Sequence, residues 1–275
     1  MMFSKILVGT DGSDSAAKAV AQAAAIAKAT GAELVVLHSY AVVSSTAGSP
    51  FGAAQIAPVK EVGVSILEDV AKRYGNMVPV RTLLKEGAAG DAIVDVAEDE
   101  KVDVVVVGNR GMTGTKRYVL GSVPNNVSHH APTSILIVDT TSPRAASRKG
   151  GEPYQKILIA TDGSPTAGKA AEAGAELAAR VGAEVLLLSV GADEQTKSVL
   201  DQAAKYLSQS GAKVTTKSVA GDPADMIVDV ADRENANLIV VGNKGMTGSK
   251  RFLLGSVPNH VSHHSPCDVL IVKTT

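Results

Sequence analysis

Short apolar runs without polar alternation recur along the chain: Ile6 to Thr10, Leu34 to His38, Val104 to Gly108 and Ile135 to Val138. Runs of this kind suit strands buried on both faces, as in a parallel sheet. Between them lie stretches with helical spacing. Ser15 to Thr30 is alanine-rich and ends at Gly31, which predicts a helix closed by a C′ glycine. Val62 to Tyr74 and Asp91 to Glu100 also read as helices. The alternation βαβαβαβαβ predicts right-handed crossovers and an α/β, doubly wound, five-stranded parallel sheet with helices on both faces. In the order 3-2-1-4-5 the direction reverses between strands one and four. Ligands in such sheets lie outside the carboxyl ends of the strands at that switch.

The whole pattern occurs twice. Lys5 to Ser13 matches Lys156 to Ser164 at an offset of 151, and Val107 to Val138 matches Val241 to Val272 at an offset of 134. The second copy is therefore shorter by 17 residues, which the small and polar stretch Ser44 to Pro58 of the first copy accounts for as a loop. Thr141 to Pro153 is rich in Gly, Pro, Ser and charge and reads as a surface linker. The expected organisation is a domain over 1–140, a linker over 141–153 and a second domain over 154–275. The last strands, Ile135 to Val138 and Val269 to Val272, are apolar and end each sheet. Apolar edges are usually covered, so the two copies are expected to pair there as an internal pseudo-dimer, with a homodimer of the whole chain as a further option.

The segments falling at the predicted switch are Gly9-Thr10-Asp11-Gly12 with Gly108-Asn109-Arg110-Gly111, and their counterparts Ala160-Thr161-Asp162 with Gly242-Asn243-Lys244-Gly245. Gly108 is followed after two residues by Gly111 and after nine more by Gly121-Ser122, and the same spacing joins Gly242, Gly245 and Gly255-Ser256. Glycines let backbone approach an anion closely, and successive N–H groups make a nest for phosphate oxygens. Gly121-Ser122 opens a helix, whose free amides and dipole attract negative charge. The amides of Ser122 and Val123, and of Ser256 and Val257, stay available, while Pro124 sits in the first turn where its missing donor is harmless. Arg110 and Lys244 are placed to pair with phosphates or to sit solvated in the loop. The plain alternative is that the glycines only shape a turn, and that Asp11 and Asp162 only cap the following helix.

This constellation resembles the universal stress protein family in its tandem-domain form. The spacing of Gly108, Gly111, Gly121 and Ser122 after a strand is similar to that family's ATP-binding signature, as is the opening Lys5 to Ser13. The resemblance covers both copies and omits only the linker and the Ser44 to Pro58 stretch. It implies ATP as ligand, with Gly108, Gly111, Gly121, Ser122 and Val123 holding phosphates and ribose, and their counterparts in copy two doing the same. It implies that Thr10 and Asp11, and so Thr161 and Asp162, face the adenosine or a Mg²⁺ carried with the nucleotide. It implies an adenine contact at the end of strand two, where copy one has Ser39 and copy two Val190.

Composition narrows the field. Lys plus Arg number 27 against 28 for Asp plus Glu, so no broad basic surface points to nucleic acid or an anionic membrane. No apolar run reaches the roughly 18 residues of a membrane span, no signal-like leader is evident, and the lone Cys267 argues against a disulfide scaffold. A cytoplasmic protein is expected. The stretch from Gly163 to Lys169 nearly matches a P-loop, but Ala170 stands where a Mg²⁺-binding hydroxyl is required. No Gly-x-Gly-x-x-Gly follows the first strand, which disfavours a dinucleotide fold. His129 and His130 recur as His263 and His264, with His260 one turn earlier, but Asn126 replaces it in copy one and no further ligand completes a zinc set. No nucleophile–base pair repeats. The expectation is an ATP-binding stress or signalling module whose occupancy sets conformation or partner choice. The alternatives are a slow ATPase or nucleotide hydrolase, and a binder of cyclic AMP or another adenine nucleotide.

Overall fold

The computed structural model describes residues 3–41, 52–110, 120–142, 144–145, 151, 154–191, 193–244 and 254–274. In copy one the strands are β1 (Lys5–Gly9), β2 (Glu33–Tyr40), β3 (Val80–Glu86), β4 (Val104–Gly108) and β5 (Ser134–Val138). Its helices are α1 (Asp14–Thr30), α2 (Gly52–Tyr74), α3 (Ala89–Asp99) and α4 (Ser122–His130). Copy two repeats this with β6 (Lys156–Ala160), α5 (Pro165–Val181), β7 (Glu184–Val190), α6 (Glu194–Leu207), β8 (Lys213–Val219), α7 (Pro223–Arg233), β9 (Leu238–Gly242), α8 (Ser256–His264) and β10 (Asp268–Val272).

Each half has the expected order, β3-β2-β1-β4-β5 and β8-β7-β6-β9-β10. The halves also join. β5 pairs antiparallel with β10, Leu136 opposite Leu270, so ten strands form one sheet. Every residue of β5 and β10 is buried. One apolar layer holds α1 and α5 against the sheet and includes Val106, Leu136, Val240 and Leu270. The other lies under α3, α4, α7 and α8 and includes Val105, Ile135, Ile239 and Val269. Both layers run unbroken across the seam.

Local chemistry explains the element ends. Ser13 caps α1 by accepting from the Ala16 amide at 3.2 Å, and Gly31 closes it with φ of 76°. Ser164 and Gly182 do the same for α5. One expectation is corrected: α2 begins at Gly52, so residues 52–58 are helical where a loop was expected, and residues 42–51 lie outside the described residues. Ala53, Ala54 and Ala57 are strong helix formers, and continuity with the amphipathic turns after Lys60 outweighs the loop-like composition. The 17 extra residues are thus divided between a longer helix, 23 residues against 14 in α6, and a longer connection before it.

The described linker residues are held tightly. Asp139 Oδ1 accepts from the amides of Thr141 and Ser142, both at 3.1 Å. Arg144 reaches the end of α7, donating to the Asp232 carbonyl at 2.8 Å and pairing with its carboxylate at 2.9 Å. Ala145 is buried. Across the seam, the Asp139 amide donates to Asp268 Oδ1 at 3.0 Å, and within copy two the Tyr154 hydroxyl donates to Asp268 Oδ2 at 2.8 Å. Asp268 and Tyr154 are both buried. Replacing Tyr154 by Phe removes one partner of a buried carboxyl, so Tyr154→Phe should lower unfolding free energy by about 1–3 kcal/mol. Urea denaturation read by circular dichroism checks this; an unchanged midpoint would show that the hydroxyl contributes nothing.

Candidate functional site

The carboxyl ends of β1 and β4 lie side by side, with Val8 opposite Val106. After β1 the chain turns at once into α1. Gly12 has φ of 79° and its amide donates to Thr10 Oγ1 at 3.3 Å. Asp11 Oδ1 accepts from the Ser13 amide at 3.0 Å and the Ser13 hydroxyl at 2.6 Å. Copy two repeats the turn: Gly163 has φ of 78°, its amide meets Thr161 Oγ1 at 3.2 Å, and the Ser164 amide meets Asp162 Oδ1 at 3.0 Å. The serines cap the helices; the threonines and aspartates shape the turn before them. A β-carbon at Gly12 would meet Ile66 of α2 at 2.8 Å, and one at Gly163 would meet Val199 of α6 at 3.0 Å. Positive φ and close packing both require glycine there.

After β4 the backbone leaves and returns at a fixed gate. The Gly121 amide donates to the Asn109 carbonyl at 2.9 Å, and the Gly255 amide to the Asn243 carbonyl at 2.9 Å. Asn109 is itself pinned. Its Oδ1 accepts from the Thr140 amide at 3.1 Å and hydroxyl at 2.7 Å, and its Nδ2 donates to Asp139 Oδ1 at 3.1 Å. In copy two Asn243 Oδ1 accepts from the Thr274 hydroxyl at 3.3 Å. Gly108 and Gly242 have a packing reason of their own. Added β-carbons would stand 3.2 Å from the Arg110 carbonyl oxygen and 3.3 Å from the Thr166 carbonyl oxygen.

The loop then feeds α4 and α8. Gly121 and Gly255 occupy the N-cap positions and offer no side chain, so the amides of Ser122 and Val123, and of Ser256 and Val257, have no side-chain cap among the described residues. Ser122 and Ser256 are exposed. Uncapped amides, an exposed hydroxyl and the helix dipole make an anion-receptive end. Arg110 and Lys244 are half-buried beside it. Gly111 and Gly245 lie outside the described residues.

The structure thus gathers Gly9, Thr10, Asp11, Gly108, Arg110, Gly121, Ser122 and Val123 at one end of the first half-sheet. Ala160, Thr161, Asp162, Gly242, Lys244, Gly255, Ser256 and Val257 gather likewise in the second. Ser39 and Val190 occupy equivalent half-buried positions near the ends of β2 and β7. Asn109 and Gly12 lie in the segments placed at the switch from sequence, but no role was assigned to them or to Asn243 and Gly163, although each recurs at its matching position in both copies. His38 was also missed. It is buried at the end of β2, and its Nδ1–H donates to the Thr10 carbonyl at 2.9 Å. Copy two has Ser189 there.

A cavity of about 700 Å³ opens between the copies; it shares Asn109 and Arg110 with the copy-one site and is bordered also by Asp139, Arg144, Asp225 and His260 among others. It does not include Thr10 or Ser122. Here the histidines acquire ordinary roles. His260 Nε2 meets Asp225 Oδ1 of α7 at 3.1 Å, and Asn126 Nδ2 in copy one meets Asp91 Oδ1 of α3 at 3.3 Å, so both residues tie neighbouring helices together. His264 stacks on His260 with centroids 4.1 Å apart. Among the described residues no group of three or more His, Cys, Asp or Glu converges to hold a metal ion. Burial pushes the Cys267 thiol up to about 12, far from a reactive thiolate. Among the described residues, no helix is long and apolar enough to cross a membrane.

With this geometry in hand, comparison with known proteins identifies relatives of both halves. The profile of the Universal stress protein family matches residues 2–139 and 153–273. A universal stress protein of Methanocaldococcus jannaschii is 34% identical over 46% of this chain and 86% of its own length. One from Mycolicibacterium smegmatis is 25% identical over 98% of this chain and 96% of its own. The crystal structure of a universal stress protein from Archaeoglobus fulgidus covers 98% of each chain with a TM-score of 0.79 at 21% identity, a likeness of fold.

The helices that begin at Ser122 and Ser256 end at titratable groups. Burial, then His130 and Lys273, hold the His129 imidazole below its ordinary value. Burial, then His264, His129 and His260, do the same to His263. Each folded imidazole takes up a proton less readily than its unfolded counterpart. The contribution of these two histidines to stability is therefore insensitive to pH above the ordinary histidine value of 6.5 and falls as pH drops through and below it. Urea midpoints at pH 7.5 and 5.5 should show the loss, at a pH still above the titration of ordinary carboxylates. The His129→Asn, His263→Asn variant should show a smaller loss; a slope unchanged by the double substitution would assign the effect elsewhere.

Proposed function

Because this chain belongs to the universal stress protein family, matched over residues 2–139 and 153–273, we propose that it is an ATP-binding stress-response module with one nucleotide site in each copy. The observation that carries this reading is the pair of uncapped helix starts at Ser122 and Ser256, each set by the closed gate at Asn109 or Asn243 beside the Thr10 or Thr161 turn. Phosphates would take the amides of Ser122 and Val123, and of Ser256 and Val257, with the serine hydroxyls adding one donor each. Arg110 and Lys244 would supply the positive charge. The glycine loop, with Gly111 and Gly245 in it, would fold over the phosphates. Thr10 and Asp11, and Thr161 and Asp162, would face the sugar or a Mg²⁺ carried with the nucleotide; their turn already orders those side chains before any ligand arrives. Ser39 and Val190 would flank the base.

On this reading the protein works by occupancy. The gate residue Asn109 is bonded to Thr140 and Asp139, and Asp139 in turn orders the linker. A ligand at the loop would therefore bear on the junction between the copies. The expected ligand is ATP, and mass spectrometry of nucleotide released from denatured protein distinguishes it from cyclic AMP.

Calorimetric titration should give two ATP per chain. Gly111→Val with Gly245→Val should abolish binding while circular dichroism remains that of the folded chain, because a β-carbon would block the anion's approach. Ser122→Ala with Ser256→Ala should weaken each site by only about 1–2 kcal/mol, since one hydrogen bond to a charged group is lost and the amides remain. Undiminished ATP affinity in the folded double-valine variant would sink the assignment.

A further inference from the structure

The two copies share their loop but not the wall beside it. Along β2, Leu37 belongs to the apolar layer under α3, and along β7, Leu188 belongs to the layer under α7. Side chains two residues apart share a face of a strand, so Ser39 and Val190 are turned to the same side in their two copies. The neighbouring strand continues each wall. Ser39 is in register with Lys85 of β3, and Val190 with Val219 of β8. Lys85 pairs with Asp95 of α3 at 3.1 Å. Val219 instead packs on the apolar layer. Just beyond it the Met226 side chain lies against Gly221, where a β-carbon would meet it at 2.8 Å. In copy one the matching position is Ala92, and Gly87 has nothing within 4 Å of an added β-carbon.

The floor differs in the same sense. Ala160 packs on the layer under α7, whereas copy one has Gly9. On the other face of β2, copy one carries His38 against the Thr10 carbonyl, and Tyr40 with the Lys60 ammonium 5.4 Å from its ring centre. Copy two has Ser189 and Gly191 at those positions. One strand end is polar and charged; the other is apolar.

The uncapped amides at Ser122 and Ser256 are alike, so phosphate alone finds nearly the same site twice. A nucleobase is flat and largely apolar on its faces. Burying such surface contributes about 25 cal/mol per Å², and covering a serine hydroxyl or a paired lysine without replacing its partners opposes binding. We infer that the two sites are unequal: copy two is the tight site, selected by the base through Val190 and Val219, and copy one is a weaker site led by the phosphates. The inference rests on the nucleotide reading above and adds the residues that set affinity in each copy.

Two single-site chains test it. Gly245→Val leaves copy one as the open site, and Gly111→Val leaves copy two. Each is titrated calorimetrically with ATP and with inorganic triphosphate. The Gly111→Val chain should bind ATP about tenfold more tightly than the Gly245→Val chain, the difference that about 55 Å² of additional apolar burial would give. Both should bind triphosphate with affinities within about twofold, since the shared amides carry that contact. Adding Ser39→Val to the Gly245→Val chain should tighten ATP and leave triphosphate unchanged. Adding Val190→Ser to the Gly111→Val chain should loosen ATP, with retained triphosphate binding reporting an intact loop. Equal ATP affinities in the two single-site chains, or a Ser39→Val change without effect, would overturn the inequality alone. An unaltered chain that takes up no ATP at either copy would overturn the nucleotide reading and this inference with it.

Discussion

The antiparallel pairing of β5 with β10 is the contact on which the rest of the molecule depends. Each strand is apolar throughout its centre, from Ile135 to Val138 and from Val269 to Val272. Left at the edge of a five-stranded sheet, either would be a sticky, unpaired surface. Joined, all are buried, and each large aliphatic side chain so covered contributes about 1.5–3 kcal/mol. The pairing also makes the two apolar layers continuous from one copy into the other. A duplicated domain thus becomes one body with its outer edges at β3 and β8.

The seam is not symmetric, and its asymmetry reaches the sites. At matching positions copy one has Ser134 and Asp139, and copy two has Asp268 and Lys273. Asp139 turns its carboxylate to the linker and to Asn109, and its amide to Asp268. Lys273 sends its amide to Ser134 and its ammonium to the Ala131 carbonyl at the end of α4. Burial lowers that lysine to about 8. The gate of copy one is therefore braced by the linker, and that of copy two by Thr274. The two loops keep the same glycine spacing while the strands beside them differ.

A common logic governs both candidate sites. Threonine and aspartate hold a tight turn, serine caps the helix, and an asparagine closes the loop with its own carbonyl. These groups are engaged in local order, while the helix starts at Ser122 and Ser256 have no side-chain cap from their N-cap glycines.

Much of this was legible in the residues. Aliphatic runs with no polar alternation determined buried parallel strands, since only strands covered on both faces tolerate them. The duplication and the repeated glycine spacing followed from comparing one half of the chain with the other, the strand order from the βα alternation and the common doubly wound pattern, and Gly31 marked the end of α1. The start of α2 was not legible, because the small and polar composition of Ser44 to Pro58 looks like a loop and helical continuity prevailed from Gly52 onward. Nor were the roles of Asn109, His38, Tyr154 and Arg144. Each depends on a partner far along the chain: Asn109 on Asp139 and Thr140, His38 on Thr10, Tyr154 on Asp268, Arg144 on Asp232. Sequence determines which groups can bond, how elements repeat and which strand edges need covering, because periodicity, capping and apolar runs are local. Which distant groups meet was decided only by tertiary structure, where burial of the β5 and β10 edges brings separate stretches of chain together.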